Sequence, residues 1–160
     1  MTFYSAVMLC VMVSLVILSI LVHENERLAK RDKFAYYLTN ILIGVSALSE
    51  WTGVQLGGKP EISSIFLRFV KCCDYIFTPM AGGVLCLQMR SRNTVNKLLF
   101  GTIAANTLFQ IVSFFTGWMT KVSADNQYSH GQLYSVYVVI YLIITLLVII
   151  QFGIYGASFK

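Results

Sequence analysis

The stretch Ile62–Gln88, ISSIFLRFVKCCDYIFTPMAGGVLCLQ, is long enough as a helix to cross a bilayer, yet it carries Arg68, Lys71 and Asp74. An ionised side chain at the bilayer centre costs roughly 2.5–3.5 kcal/mol on insertion scales. A helix holding three such groups is tolerated only where protein or water surrounds its charged side. The stretch therefore demands partner helices.

The rest of the chain supplies them. The 160 residues are 57% hydrophobic and only 12% charged, against about 25% charged in ordinary soluble domains. Apolar runs of membrane-spanning length recur. The expected fold is an all-α integral membrane protein with five spans, at about 3–22, 34–51, 62–88, 98–119 and 133–159. One such bundle uses the whole length, so residues 1–160 form a single transmembrane helical domain. The N-terminal run lacks a positive flank and a small-residue cleavage site, so it reads as a permanent span.

Lysine and arginine orient the bundle. The loop after the first span holds Arg27, Lys30, Arg31 and Lys33, the loop after the third holds Arg90, Arg92 and Lys97, and Lys160 ends the chain. The alternate loops hold only Lys59 and Lys121. This bias places the N-terminus outside and the C-terminus in the cytoplasm. With its basic residues in short loops, the net charge of +5 points to topology and not to nucleic acid, since no basic face with interleaved aromatics lies outside the spans.

Helical projection gives the third span two faces. Arg68, Lys71, Tyr75, Thr78 and Gly82 form one stripe with Asp74 at its edge. Phe66, Val70, Cys73, Phe77, Met80 and Val84 form the opposite, lipid-like face. Arg68, Lys71 and Asp74 lie about 9, 13 and 18 Å along from Ile62, so Arg68 reaches outward and Asp74 does not. Pro79 removes a backbone donor and kinks the helix, with Thr78 placed to satisfy the freed carbonyl. Gly82 and Gly83 follow, and Pro79, Gly82 and Gly83 are the candidate hinge.

Polar residues of the other spans are expected to face inward: Thr39, Ser46 and Glu50 in the second, and Thr102, Asn106, Gln110, Ser113 and Thr116 in the fourth. The fifth carries a stripe of Tyr134, Tyr137, Tyr141, Thr145, Val148, Phe152 and Tyr155. Two arrangements fit the charges. Lys71–Asp74 and Glu50–Arg68 are spaced for structural ion pairs. Alternatively Glu50, Arg68, Lys71, Asp74, Tyr75 and Thr78 line an outward-facing polar pocket for a small molecule or ion.

Catalytic signatures are missing from the sequence: no Gly-rich phosphate loop, HExxH or Ser/His/Asp set occurs. His23 and His130 fall in loops expected on opposite sides of the membrane. Cys10, Cys72, Cys73 and Cys86 all lie in apolar spans and read as packing residues, so neither metal nor cofactor is expected.

Five spans, a near-absent N-terminal tail, Cys73–Pro79 (CDYIFTP) in the third span and a long fifth span ending GIYGASFK resemble the multi-span membrane input regions of bacterial signalling proteins. Those regions precede diguanylate cyclase (GGDEF) or histidine kinase domains. The resemblance implies an inner-membrane sensor embedded in lipid, with a cytoplasmic output domain or a second copy in a homodimer as its partner. The chain departs from that pattern by ending at Lys160 after five spans, often seven in the family, and by lacking GGDEF. It is thus expected to be a truncated sensor region or a stand-alone module without cyclase activity. The alternatives are a small transporter or channel subunit with a path along Asp74, Gln110 and Tyr141, and a structural partner that assembles through Asn106 and Gln110.

Overall fold

A computed structural model of the chain describes residues 3–59, 61–87 and 94–157. The expected span ends at Gln88 and Phe159, and Arg90, Arg92 and Lys160, fall outside the described residues. Five helices dominate: α1 (Phe3–Glu24), α2 (Lys30–Leu56), α3 (Ser64–Cys86), α4 (Thr94–Thr116) and α5 (Tyr134–Ala157). Between α4 and α5 lies a hairpin of β1 (Thr120–Val122) and β2 (Tyr128–His130), paired antiparallel with Thr120 opposite His130. Sequence reasoning took that segment for a polar loop.

Four helices, α1, α3, α4 and α5, are long and apolar enough to cross a membrane. The exception is α2, whose Tyr36, Tyr37, Thr39, Asn40, Ser46, Ser49 and Glu50 dilute its apolar residues. It is nevertheless the longest helix, since Lys30, Arg31, Asp32 and Lys33 belong to its first turn and not to the preceding loop.

Antiparallel packing of α1 on α2 is fixed by polar contacts along the seam. The Tyr4 hydroxyl donates to Glu50 Oε1 at 2.7 Å, and Trp51 Nε1 and Gln55 Nε2 donate to Ser5 Oγ at 3.2 and 3.3 Å. Further along, Asn40 Nδ2 donates to Ser19 Oγ at 2.9 Å. Away from this seam α1 turns Val13, Val16, Ile17, Leu18 and Leu21 outward, as a lipid-facing helix does.

The central helix is α3, which packs on α2, α4, α5 and β1. The expected lipid-like face is therefore corrected. Val70 and Val84 are buried, and Val84, with Ala81, packs against Ala35 and Leu42 of α2, joined at the edge by Phe77 and Met80. Only the first turns, at Ile65, Phe66 and Phe69, remain exposed. Beyond those turns α3 meets neighbouring elements on both its polar and its apolar sides, whatever its hydrophobic pattern. A second core joins Cys86 of α3 to Leu99 and Ile103 of α4 and to Ile144 and Leu147 of α5. On α5 the buried line is thus Tyr137, Ile144, Leu147 and Gln151. It is rotated from the expected stripe, leaving Tyr141, Thr145, Phe152 and Tyr155 exposed.

Candidate functional site

Pro79 lies inside α3 without ending it. In a regular helix the amide of residue 79 would donate to the carbonyl of Tyr75, and proline has no such hydrogen. Asn106 of α4 takes its place, its Nδ2 donating to the Tyr75 carbonyl at 3.0 Å. Gln110 Nε2 in turn donates to Asn106 Oδ1 at 3.4 Å. Asn106, Gln110 and Ser113 are all buried, as the polar stripe on α4 predicts. The stripe's outer members, Thr102 and Thr116, bond the carbonyls of Leu98 and Val112 in their own helix.

Thr78, expected to satisfy the freed carbonyl, is used differently. Its Oγ1 donates to Asp74 Oδ1 at 3.2 Å, and Ser46 Oγ from α2 donates to the same oxygen at 2.7 Å. The two hydroxyls lie 2.5 Å apart. This three-oxygen cluster holds Asp74 in the α2–α3 seam, about one helical turn before Pro79.

Neither expected ion pair is made among the described residues. Glu50 is exposed and accepts from Tyr4, on the α1 side of α2. Asp74 takes hydroxyls in place of Lys71. Arg68 is half-buried, and its Nε is closed off from solvent without a hydrogen-bond partner. Lys71 runs across Gly53 of α2, where an added Cβ would stand 3.0 Å from Lys71 Cε. Its Nζ lies 5.4 Å from the centre of the Tyr128 ring, within cation–π range.

Tyr128 belongs to the hairpin, and the hairpin closes this end of the bundle. Asn126 at its tip sits at φ 55, in the left-handed region that asparagine tolerates. It clamps the α2–α3 connection: its carbonyl accepts from the Gly58 amide at 2.9 Å, and its side-chain amide donates to the Lys59 carbonyl at 2.7 Å and to that of Ile62. At the base of the hairpin Ser113 Oγ accepts from the Met119 amide at 2.8 Å. Gly131 passes so close to the Trp118 carbonyl that no side chain fits there.

Beneath the hairpin lies an aromatic cluster. The Tyr128 and Tyr75 hydroxyls are 2.6 Å apart, and the Tyr128 hydroxyl lies 3.1 Å from His130 Nδ1. The Tyr75 and Tyr137 rings are 4.5 Å apart between centres, and His130 stacks on Tyr134 at 3.7 Å. Burial pushes the Tyr128 phenol above its ordinary range, an effect opposed by its hydrogen bond with Tyr75.

The structure thus divides the six candidate pocket residues among four settings. Asp74 and Thr78 join Ser46 in the α2–α3 seam, Tyr75 faces the hairpin and α5, and Glu50 turns to α1. Lys71 and Arg68 remain at the hairpin end with no ion pair among the described residues, Lys71 staying within electrostatic reach of Asp74. Of the candidate hinge residues, Gly82 faces Val148 of α5 and Gly83 admits Ile103 of α4, so both serve close helix packing. Ser46, Tyr128 and Asn126 complete the site and were not singled out as site residues in the sequence. Ser46 lay on a recognised inward face, whereas nothing local marks Tyr128.

Of the α4–α5 residues proposed for a transport path, Gln110 is bonded to Asn106, and Tyr141 lies on an exposed flank. An open groove of about 650 Å³ runs between α1 and α2, lined by Leu15, Ser19, Tyr37, Asn40 and Gly44 among others and by no residue of α3. Among the described residues no three histidines, cysteines or carboxylates converge in a metal-binding group. No family model, curated protein or solved structure matches the chain.

Proposed function

We propose that the protein is a membrane sensory module in which the hairpin end receives a stimulus and α3 passes it through the bundle. The observation that carries this is a pair of hydrogen-bond sets that meet in one residue, Tyr75. One runs from the hairpin (Tyr128) to α3 (Tyr75 hydroxyl), the other from the Tyr75 carbonyl, vacated by Pro79, to Asn106 and Gln110 of α4. A shift of the hairpin acts on Tyr75, whose backbone is the point where α3 lacks its own helical bond. Such a point bends at lower cost than regular helix.

In this proposal the chain makes five spans. Packing between α1 and α3 carries α2 across despite its polar composition. The basic loops face the cytoplasm and the hairpin faces outward, in keeping with the lysine and arginine bias. The end of α5 then delivers the signal to a cytoplasmic output domain of the diguanylate cyclase or kinase type.

The test fuses the full chain to a cyclase reporter. Tyr75→Phe, Tyr128→Phe and Asp74→Asn are each expected to change reporter output while membrane insertion and amount stay the same. Unchanged output from all three, with the protein folded, would overturn the proposal. Solute flux in reconstituted vesicles would replace it with a transporter.

A further inference from the structure

We infer that the hairpin end of α3 binds an anionic group, a carboxylate or phosphate, through Arg68 and Lys71. The inference names the ligand class of the proposed sensory site, and so rests on that proposal. It begins from donors that lack acceptors. Arg68 Nε is closed off from solvent and unbonded among the described residues. Lys71 Nζ faces the Tyr128 ring, and no described residue gives it a hydrogen bond or an ion pair. A guanidinium and an ammonium carry only donors, and a buried donor left without an acceptor is destabilising.

The acid nearest Lys71 is Asp74, whose charge and that of Lys71 attract each other, but its hydrogen bonds go to the Ser46 and Thr78 hydroxyls and not to either cation. Glu50 accepts from Tyr4, and Glu61 is exposed on the α2–α3 connection. Arg68 and Lys71, three residues apart, therefore stand as neighbouring like charges about 4.5 Å apart along the axis, a repulsive arrangement on a helix. An anion between them relieves that repulsion and supplies acceptors to both. Carboxylates and phosphates fit best, because guanidinium binds them through paired hydrogen bonds.

Lys71 is also held in place for this task. Gly53 leaves the slot its stem crosses, and the Tyr128 ring stands by its ammonium. Bound anion would draw Lys71 from Tyr128, and Tyr128 is bonded to Tyr75. Binding and the hairpin–α3 hydrogen bond thus share one residue.

The anion could be a soluble ion or a lipid headgroup. The purified full chain in zwitterionic phosphatidylcholine nanodiscs is titrated with inorganic phosphate or acetate, against chloride at matched ionic strength. A parallel set contains anionic phosphatidylglycerol. Thermal unfolding is the readout. Phosphate or acetate is expected to raise the midpoint, and Lys71→Gln and Arg68→Gln each to weaken the response by about tenfold or more, the loss of a charged hydrogen-bond pair. Lys71→Arg should retain it. Stabilisation by phosphatidylglycerol alone, abolished by Lys71→Gln, identifies a headgroup as the ligand. If the charge variants fail to fold, Gly53→Leu displaces Lys71 with the charges intact and is expected to weaken the response in the same way.

No stabilisation by any of the three anions beyond chloride, or equal stabilisation in wild type and variants, overturns the inference. Binding without change in the cyclase reporter leaves it standing and sinks the sensory proposal. Reporter output that responds to Tyr75→Phe with no anion binding does the reverse.

Discussion

Asn106 of α4 donates its side-chain amide to the carbonyl of Tyr75 in α3 at 3.0 Å, the carbonyl that Pro79 leaves without a helical donor. The proline and the asparagine are a matched pair on different helices. Each would be a liability alone: an unmet carbonyl in one case, an unmet amide in the other.

The pair predicts non-additivity. Asn106→Leu should destabilise the protein by about 0.6–1.7 kcal/mol, the range measured for hydrogen bonds between membrane helices. In a Pro79→Ala background the Tyr75 carbonyl regains an amide from its own helix, and the same change should cost less. A double-mutant cycle by denaturant unfolding in detergent measures the coupling. A coupling of zero would show that the two residues act separately.

The hairpin clamp predicts a local effect. Asn126→Ala removes the donor to the Lys59 and Ile62 carbonyls and places an alanine at φ 55. Asn126→Gly removes the same donor but tolerates the backbone. Both should speed amide exchange across 120–130, with alanine the worse by about 1 kcal/mol. Equal exchange in the two variants would remove the backbone from the explanation.

Alkaline pH should loosen the hairpin. The folded-state pKa of Tyr128 is raised above the ordinary phenol value of about 10, mainly by burial. The folded state therefore keeps its proton longer than the unfolded state does. The associated stability is fully present below pH 10 and is lost as pH rises from there through the folded pKa. Exchange in 120–130 is expected to accelerate above about pH 10, and Tyr128→Phe should blunt that rise. Acceleration of equal size in the phenylalanine variant would place the titration elsewhere.

At the opposite end, Arg31 Nη2 donates to the Leu87 carbonyl at 3.1 Å, just past the last turn of α3. A cation at a helix C-terminus contributes about 0.3–1 kcal/mol. Arg31→Gln is expected to lower stability by that small amount, and less at high salt. A loss that does not respond to salt would point to packing by the arginine stem.

The polar residues in apolar segments showed where helices must meet, because an unmet hydrogen bond has no water to turn to. Asn106, Gln110 and Ser113 were legible for that reason, and so was the inward side of Thr39 and Ser46. Partner choice was not legible. Lys71 and Asp74 have ideal spacing for an ion pair, yet Asp74 takes Ser46 and Thr78, because α2 brings the Ser46 hydroxyl across the seam to the carboxylate oxygen that Thr78, one turn on in α3, already reaches. The lipid-like face assigned to α3 failed similarly: periodicity records which residues are apolar, whereas Val70 and Val84 are apolar toward protein.

By itself, the sequence determined a largely helical chain with helices long and apolar enough to cross a membrane and a third helix that carries charges and a proline, since long apolar runs and a mid-helix proline act through local chemistry. Tertiary structure alone decided that α3 meets neighbours on both its polar and its apolar sides and that Asn106 completes its backbone. It also decided that the hairpin brings Tyr128 onto Tyr75 and Lys71. Those relations join residues 31 to 57 positions apart, and only packing brings such distances within a hydrogen bond or a ring contact.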